Sequence, residues 1–237
     1  MKVSKVGKRL NKAASLVEAG RLYGLVEALD LLLGLYKEQF CTKFDETIDM
    51  VFNLGVDTKH SDQMVRGSVS MPSGLGKSVK VAIFTTEANF ERAKASGADI
   101  VGEEALIESV KSGNINFDMC VATPDVMVKL APLGRVLGPK GMMPNPKLGT
   151  VSMDIEGMIK RVKSGYVEYK ADKFGIVHAG IAKLSFSVDA IKKNVMALYS
   201  AILASKPSGA KGIYIKSAYI GSSQGISVPL DISSLSV

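Results

Sequence analysis

The chain has 237 residues, 46% of them apolar, with 30 Lys and Arg against 23 Asp and Glu for a formal charge of +7. That length allows one large or two modest domains, and the apolar share supplies enough Val, Ile, Leu and Ala for real cores, which excludes a mainly disordered chain. No run reaches the roughly 18 apolar residues that cross a bilayer, and the N-terminus mixes Lys and Arg with apolar residues where a signal peptide would be uninterrupted, so a cytoplasmic protein without membrane contact is expected.

In chain order, Lys2, Lys5, Lys8, Arg9 and Lys12 recur at helical spacing with no acid among the first 12 residues, so several share one helix face. Leu25, Ala28, Leu29, Leu32 and Leu33 then mark an amphipathic helix. Ile48, Met50, Phe52, Leu54 and Val56 alternate strictly, as in a strand buried on one side. From 79 to 131 the pattern changes to short apolar runs separated by helical stretches: VKVAIF, a helix over 87–96, the short strand ADIVG, a helix over 103–112, FDMCVAT, and a helix from about Asp125. This alternation predicts β-α units on a parallel sheet, ending in a Gly/Pro-rich segment and a helix over 155–163. Alternating runs return with YVEYK and GIVHAGIAK, followed by a long helix over 188–204 and the strand GIYIKSAYIGS.

The resulting fold class is α/β with two domains: a split α+β domain built from 1–74 plus 166–237, and a Rossmann-like α/β domain inserted at 75–165. Gly74, Gly76 and Gly165 stand where two linkers would cross, so a hinge is expected there. Charge follows the same division, with net values of +1 for 1–74, +2 for 75–165 and +4 for 166–237.

Catalytic and cofactor chemistry finds little support. SGLGKS at 73–78 resembles the end of a phosphate-binding loop, but its first required glycine would be Met71, and a strand follows it where phosphate binding needs a helix N-terminus. No G-x-G-x-x-G follows the strands of the inserted domain. His60, Ser61 and Asp62 are triad residue types, yet immediate neighbours cannot form the required relay and read as a turn or cap. His178 lies in an alternating strand and reads as a hydrogen-bonded structural histidine, while Glu103 and Glu104 open a helix and complement its dipole. Two cysteines, Cys41 and Cys120, and two histidines lack zinc-ligand spacing, so free thiols, no metal and no cofactor are expected.

Between Gly134 and Lys147 six glycines or prolines and three basic residues, Arg135, Lys140 and Lys147, are crowded together, which reads as a shaped, rigid loop. Residues 126–163 hold seven basic and two acidic residues, against five and eight in 75–125, so the inserted domain is polarised with one basic end. A polyanionic partner follows from this distribution more than from the total charge.

The segment LGRVLGPKGMMPNPKLGTV at 133–151 resembles the signature of the ribosomal protein L-one family, the mobile stalk of the large subunit beside the tRNA exit site. Further blocks extend the resemblance over nearly the whole chain: KFDETIDM at 43–50, GVDTKHSDQMVRGSVSMPSGLGK at 55–77, FDMCVATPDVM at 117–127 and KPSGAKGIYIKS at 206–217. The resemblance implies the same split-and-inserted arrangement and a non-enzymatic, ribosome-associated protein, monomeric within the ribosome. Its implied partners are the large-subunit ribosomal RNA stalk, exit-site tRNA and the messenger RNA of its own operon, with roles in release of deacylated tRNA and in translational repression.

The family's main ribosomal RNA contact lies on the split domain and carries over residue by residue. Lys43, Phe44 and Thr47 match its K-F-x-x-T element, and Ser217 matches a serine on the late strand. Ser222-Ser223-Gln224-Gly225 stands where the family usually has Thr-Thr-Met-Gly, so Ser223 keeps a hydroxyl and Gly225 close approach, while Gln224 puts an amide in place of an apolar side chain. Lys170 and Lys173 fall in a nearby turn as phosphate partners, and Arg135, Lys140 and Lys147 are candidates for secondary RNA or tRNA contacts. Phe44 at the start of a strand reads by itself as a core residue, and the resemblance moves it to the surface. Two other readings compete: a regulatory RNA-binding protein acting mainly off the ribosome, and an enzyme using the inserted domain.

Overall fold

The computed structural model describes residues 8–18, 20–38 and 43–235. Lys2, Lys5 and Cys41, singled out above, lie outside the described residues. The elements run α1 (Lys8–Ala14), α2 (Leu25–Glu38), β1 (Thr47–Leu54), β2 (Arg66–Ser70), β3 (Val81–Phe84), α3 (Phe90–Ala95), β4 (Ile100–Gly102), α4 (Glu104–Lys111) and β5 (Met119–Ala122). They continue with α5 (Met127–Leu130), α6 (Gly134–Leu137), α7 (Ile155–Lys163), β6 (Tyr166–Lys170), β7 (Ile176–Lys183), α8 (Val188–Ala204), β8 (Ile215–Ser222) and β9 (Ser227–Leu230). The fold is α/β in class, and the chain divides into a terminal unit, Met1–Gly76 with Val167–Val237, and an inserted unit, Lys77–Tyr166.

In the terminal unit β7, β1, β8 and β9 form a four-stranded antiparallel sheet in that order, and β2 pairs with β6 in a separate ribbon. The period-2 pattern of β1 buries Ile48, Met50, Phe52 and Leu54 completely. These side chains pack with Leu29 and Leu32 of α2 and with Val195, Leu198 and Ile202 of α8. The alternate residues Thr47, Asp49, Val51 and Asn53 stand on the opposite, open face. α8 begins at the Ser187 cap, whose side chain accepts the Ala190 N–H.

Register along β1 slips once against β7: Ile48 pairs with Ala182 and Asp49 with Gly180, leaving Ile181 as an extra residue. Such a bulge leaves ladder groups unpaired. Asn194 of α8, fully buried, answers this by donating its Nδ2 to the Ile181 carbonyl at 2.8 Å and to the Gly74 carbonyl at 2.9 Å. Its Oδ1 accepts the Ser73 N–H at 3.0 Å. The 73–76 segment is thus anchored to the bulge and helix. Gly74, Gly76 and Gly165 all hold positive φ, 72°, 65° and 107°, a conformation that glycine adopts without strain.

The inserted unit has a parallel sheet in the order β4-β3-β5, extended by a bridge between Ala122 and Val151. Val81 and Ile83 pack toward α7 through Met158, Ile159 and Val162, while Ala82 and Phe84 face Ile107, Leu130, Leu133 and Leu137. Helices therefore cover both faces, as β-α alternation demands.

Several expectations about local structure need correction. The helix read over 87–96 opens as a 3-10 turn, Glu87–Asn89, before α3. The helix read from Asp125 is a chain of short turns, α5 and α6 being separated by the 3-10 turn Ala131–Leu133, with Pro124 and Pro132 at their starts. The rigid loop read between 134 and 147 starts inside this helical chain, since 134–137 are α6 and only 138–145 are turn and loop; the flanking Leu133, Leu137 and Leu148 are core residues, and the Gly138 N–H donates to the Gly134 carbonyl at 2.9 Å. The 60–62 stretch does form a turn as read, the 3-10 turn Ser61–Gln63, but His60 provides no side-chain cap. Glu103 and Glu104 do open α4 as read, and both also pair with Lys129, at 2.7 and 3.2 Å.

Candidate nucleic-acid interface

The first group of predicted residues gathers where β1 begins and β8 ends. Phe44 precedes β1 and is 49% exposed, so the surface placement holds and the core placement does not. Lys43 beside it is exposed as well. Two residues later the alternation turns Glu46 inward, only 2% exposed, and its Oε2 accepts the Gln224 N–H at 3.2 Å. The Ser223 N–H donates to the Thr47 carbonyl at 3.0 Å, and the Ser223 hydroxyl accepts the Thr47 N–H at 3.2 Å. The turn between β8 and β9 is thereby stapled to the start of β1, with Ser223, Gln224 and Gly225 exposed on its rim. A side chain at Gly225 would collide with the Ser222 hydroxyl, so this position keeps bare backbone at the surface.

Lys183, missed by the sequence reading, completes this corner. It pairs opposite Thr47, and its Nζ donates to Thr47 Oγ1 at 2.9 Å and to the Asp45 carbonyl at 3.2 Å. Asp45 in turn accepts from the Ser185 N–H at 3.2 Å and the Ser185 hydroxyl at 2.7 Å. The two acids of the K-F-D-E-T element thus hold the corner in shape while its lysine and phenylalanine project.

Ser217, Lys170 and Lys173 belong to a second group. Ser217 pairs with Asn53, six residues along β1 from Thr47, which at ~3.3 Å per residue places it about 20 Å away. Lys170 ends β6 and Lys173 sits in the following turn, both exposed, with the Thr58 hydroxyl donating to the Lys173 carbonyl at 2.8 Å. The structure brings Lys43, Phe44, Thr47, Ser223, Gln224 and Gly225 together and holds these three at the other end of the sheet.

Between the groups runs the open sheet face, which the sequence reading did not single out. Register sets Asp49 between Gly180 and Gly221, and Val51 between His178 and Tyr219. Burial pushes the Asp49 carboxyl above its ordinary value, opposed by the nearby charges of His178 and Lys183. His178 is exposed here, so the structural-histidine reading is corrected. The signal for this face was in the strands themselves, since every residue alternating with a core position faces it.

Arg135, Lys140 and Lys147 are exposed in the inserted unit, Arg135 on α6 and Lys147 in the 3-10 turn Pro146–Leu148, which Asn145 caps by accepting the Lys147 N–H at 2.9 Å. Cys120 is a free, buried thiol pushed up to about 12 by burial. Among the described residues no group of His, Cys, Asp and Glu could hold a metal ion, and no helix is long and apolar enough to cross a membrane.

The family model for the ribosomal protein L1p/L10e family matches residues 36–226, a span that reaches into both units. The chain belongs to this family. Relatives named large ribosomal subunit protein uL1 from Rickettsia africae and Rickettsia rickettsii are each 49% identical over 229 residues, covering 97% of this chain and 94% of theirs. A relative of the same name from Rickettsia akari matches to the same extent. As a member of the ribosomal protein L1p/L10e family the chain is not an enzyme, and the Rossmann-like strand order of its inserted unit does not by itself imply dinucleotide chemistry.

Proposed function

We propose that this protein is a structural constituent of the large ribosomal subunit that grips a folded stalk of ribosomal RNA through its terminal unit, working as a monomer on cytoplasmic ribosomes. Family membership and the names of the relatives support the ribosomal part of this reading. One observation carries the RNA part: Phe44 stands exposed beside a surface turn whose backbone is stapled to β1. An exposed ring packs on a ribose or base, small hydroxyls and bare backbone read the shape and 2′-OH groups of RNA, and Lys43 neutralises phosphate. Ser217, Lys170 and Lys173 extend the contact along the sheet.

The inserted unit, in this proposal, moves about the paired linkers at Gly74, Gly76 and Gly165 and presents Arg135, Lys140 and Lys147 to exit-site tRNA, assisting release of the deacylated molecule. Its seven basic against two acidic residues over 126–163 support a polyanionic partner there. Repression of its own operon follows if the messenger imitates the ribosomal RNA site, which the same terminal-unit residues then grip.

The test is binding of the whole chain to a stalk RNA fragment across a salt series. Phe44→Ala is expected to weaken binding roughly tenfold, the scale of a single ring–base or ring–ribose stack. Combined alanine substitution of Arg135, Lys140 and Lys147 should leave stalk affinity nearly unchanged while weakening tRNA binding. Should Phe44→Ala bind normally, or plain duplex RNA bind as tightly as the stalk, the site assignment is wrong, because shape recognition must exceed the nonspecific electrostatic term. An operon leader RNA should lose affinity in parallel with the stalk.

A further inference from the structure

At the end of the sheet remote from Phe44, the chain presents a second aromatic residue. Phe174 is 81% exposed at the tip of the turn between β6 and β7. The turn is rigidly built: Asp172 Oδ1 accepts the N–H groups of Phe174 and Ile176, each at 2.8 Å, and the Gly175 N–H donates to the Asp172 carbonyl at 3.1 Å. Gly175 takes φ 78°, the left-handed position that closes such a turn. The hydrogen bonds from Ile176 and Phe174 also hold the Asp172 carboxyl below its ordinary value, so the carboxylate is occupied by backbone at neutral pH.

Register places a second exposed apolar residue near it. Asn53 of β1 pairs with Ile176 on one side and Ser217 on the other, so the chain entering β7 and the chain entering β8 flank the end of β1 about 10 Å apart. Gly55, just beyond that end, receives the approach of both: its N–H donates to the Tyr214 carbonyl, Ile213 lies against it, and Gly175 lies against the carbonyls of Leu54 and Val56. Ile213 is 76% exposed. Four exposed lysines surround the pair in sequence, Lys170 and Lys173 on one side and Lys211 and Lys216 on the other, and none is in an ion pair among the described residues. Beside Lys170 and Lys173 opens a cleft of about 400 Å³, also lined by Thr58, Met64 and Asp172, within the size range that takes a small ligand.

We infer that Phe174 is a stacking platform for one unpaired nucleotide of a bound RNA, with Ile213 as its apolar flank and the four lysines holding the adjoining phosphates. An exposed ring on a rigid turn with lysines beside it in the chain is the arrangement with which proteins hold unstacked bases, because every base has a π-face and the backbone beside it is anionic. A duplex offers no free face to such a ring, so the ligand has a loop, bulge or end at this position. This rests on the RNA-binding reading above and adds to it a second aromatic contact, beyond the end of β1 opposite to the one that Phe44 precedes, making recognition of the stalk bipartite.

The experiment uses the whole chain and a stalk RNA hairpin with 2-aminopurine substituted in turn at each unpaired position. Wild-type protein is expected to quench one such base; Phe174→Ala should abolish that change and weaken binding roughly tenfold, and Phe174→Tyr should restore both. The salt slope should be unchanged in Phe174→Ala and shallower in the double variant Lys170→Ala, Lys173→Ala, by about 0.7 for each phosphate of the unpaired strand that is no longer neutralised. If Phe44→Ala weakens binding while Phe174→Ala changes neither affinity nor fluorescence, the platform is refuted and the RNA-binding reading stands. If neither variant matters and the hairpin binds no better than plain duplex, both fall together.

Discussion

Asn194→Ala should destabilise the terminal unit far more than its single polar side chain suggests. The amide is fully buried and saturates three backbone groups at once: the Ser73 N–H and the Gly74 and Ile181 carbonyls. Ile181 is the extra residue of the β7 bulge and is itself fully buried, so neither the ladder nor water takes over its carbonyl. Ser73 and Gly74 are only half-buried, and solvent offsets part of their loss. One stranded buried carbonyl and two weakened bonds together cost about 3 kcal/mol. For a unit of this size that lowers the melting temperature by roughly 6–12 °C. Differential scanning calorimetry on the whole chain is the assay, with only the terminal unit's transition moving. Asn194→Asp should be worse than alanine at neutral pH, because it places a carboxylate against two carbonyls without a donor. The gap should narrow as the pH falls and the buried carboxyl, its pKa raised, takes up a proton. A melting shift under about 2 °C for alanine, or an aspartate variant as stable as wild type at pH 7, would refute the claim that this side chain completes the bulge.

Asp49→Asn is expected to tighten binding to the stalk RNA by about 0.5–1 kcal/mol, roughly two- to fivefold, by removing a negative charge from the open face; a loss of affinity would instead make Asp49 an acceptor for an RNA donor. The same variant should be more stable than wild type at neutral pH and equal to it in strong acid. The folded carboxyl is raised above 3.8, so its favourable, protonated state is complete below that value and lost as the pH rises through the folded value. Gly67→Ala should destabilise by about 1–3 kcal/mol, since the added carbon would lie 2.5 Å from the Tyr169 hydroxyl, itself buried and bonded to the Ala201 carbonyl and Ser205; an unchanged melting curve would show that the ring yields freely. Native Cys120 should resist thiol reagents at pH 8 and react only on unfolding.

Elements with a single strong period were legible in the sequence. β1 alternates without a break, and α8 shows helical spacing from a serine cap to its end, so both matched the expectation closely. β2 and β9 were not read at all. Val69 is the only large apolar residue of Arg66–Ser70, and Pro229 interrupts β9, which ends the sheet beside β8 and carries on its other side a single bridge to Tyr23. The corner around Phe44 was legible only through resemblance, because its assembly depends on Thr47 meeting Ser223, 176 residues away, a pairing no local period encodes. Lys183 and the Asp49 row were legible in principle: once 48, 50, 52 and 54 are core, 47, 49, 51 and 53 must share the other face.

The 133–151 segment shows why conspicuous sequence and functional surface diverge. Its leucines are buried in the inserted unit, and its glycines and prolines shape the turns that link the one-turn helices Gly134–Leu137 and Pro146–Leu148, so most of its distinctiveness is a packing solution. Only three of its side chains, Arg135, Lys140 and Lys147, are cations open to a partner. The Phe44 corner inverts this ratio. Its buried part is a single glutamate and a few backbone bonds, and almost everything else in it faces outward. A surface of that kind needs its frame fixed from behind. The bulge at Ile181, one residue from the partner of Ile48, twists β7 just where Lys183 must reach Thr47. Asn194, by holding that bulge, therefore acts on the Phe44 corner without touching it, and if that corner grips the stalk as proposed, Asn194→Ala should weaken stalk binding modestly even at temperatures where the protein remains fully folded.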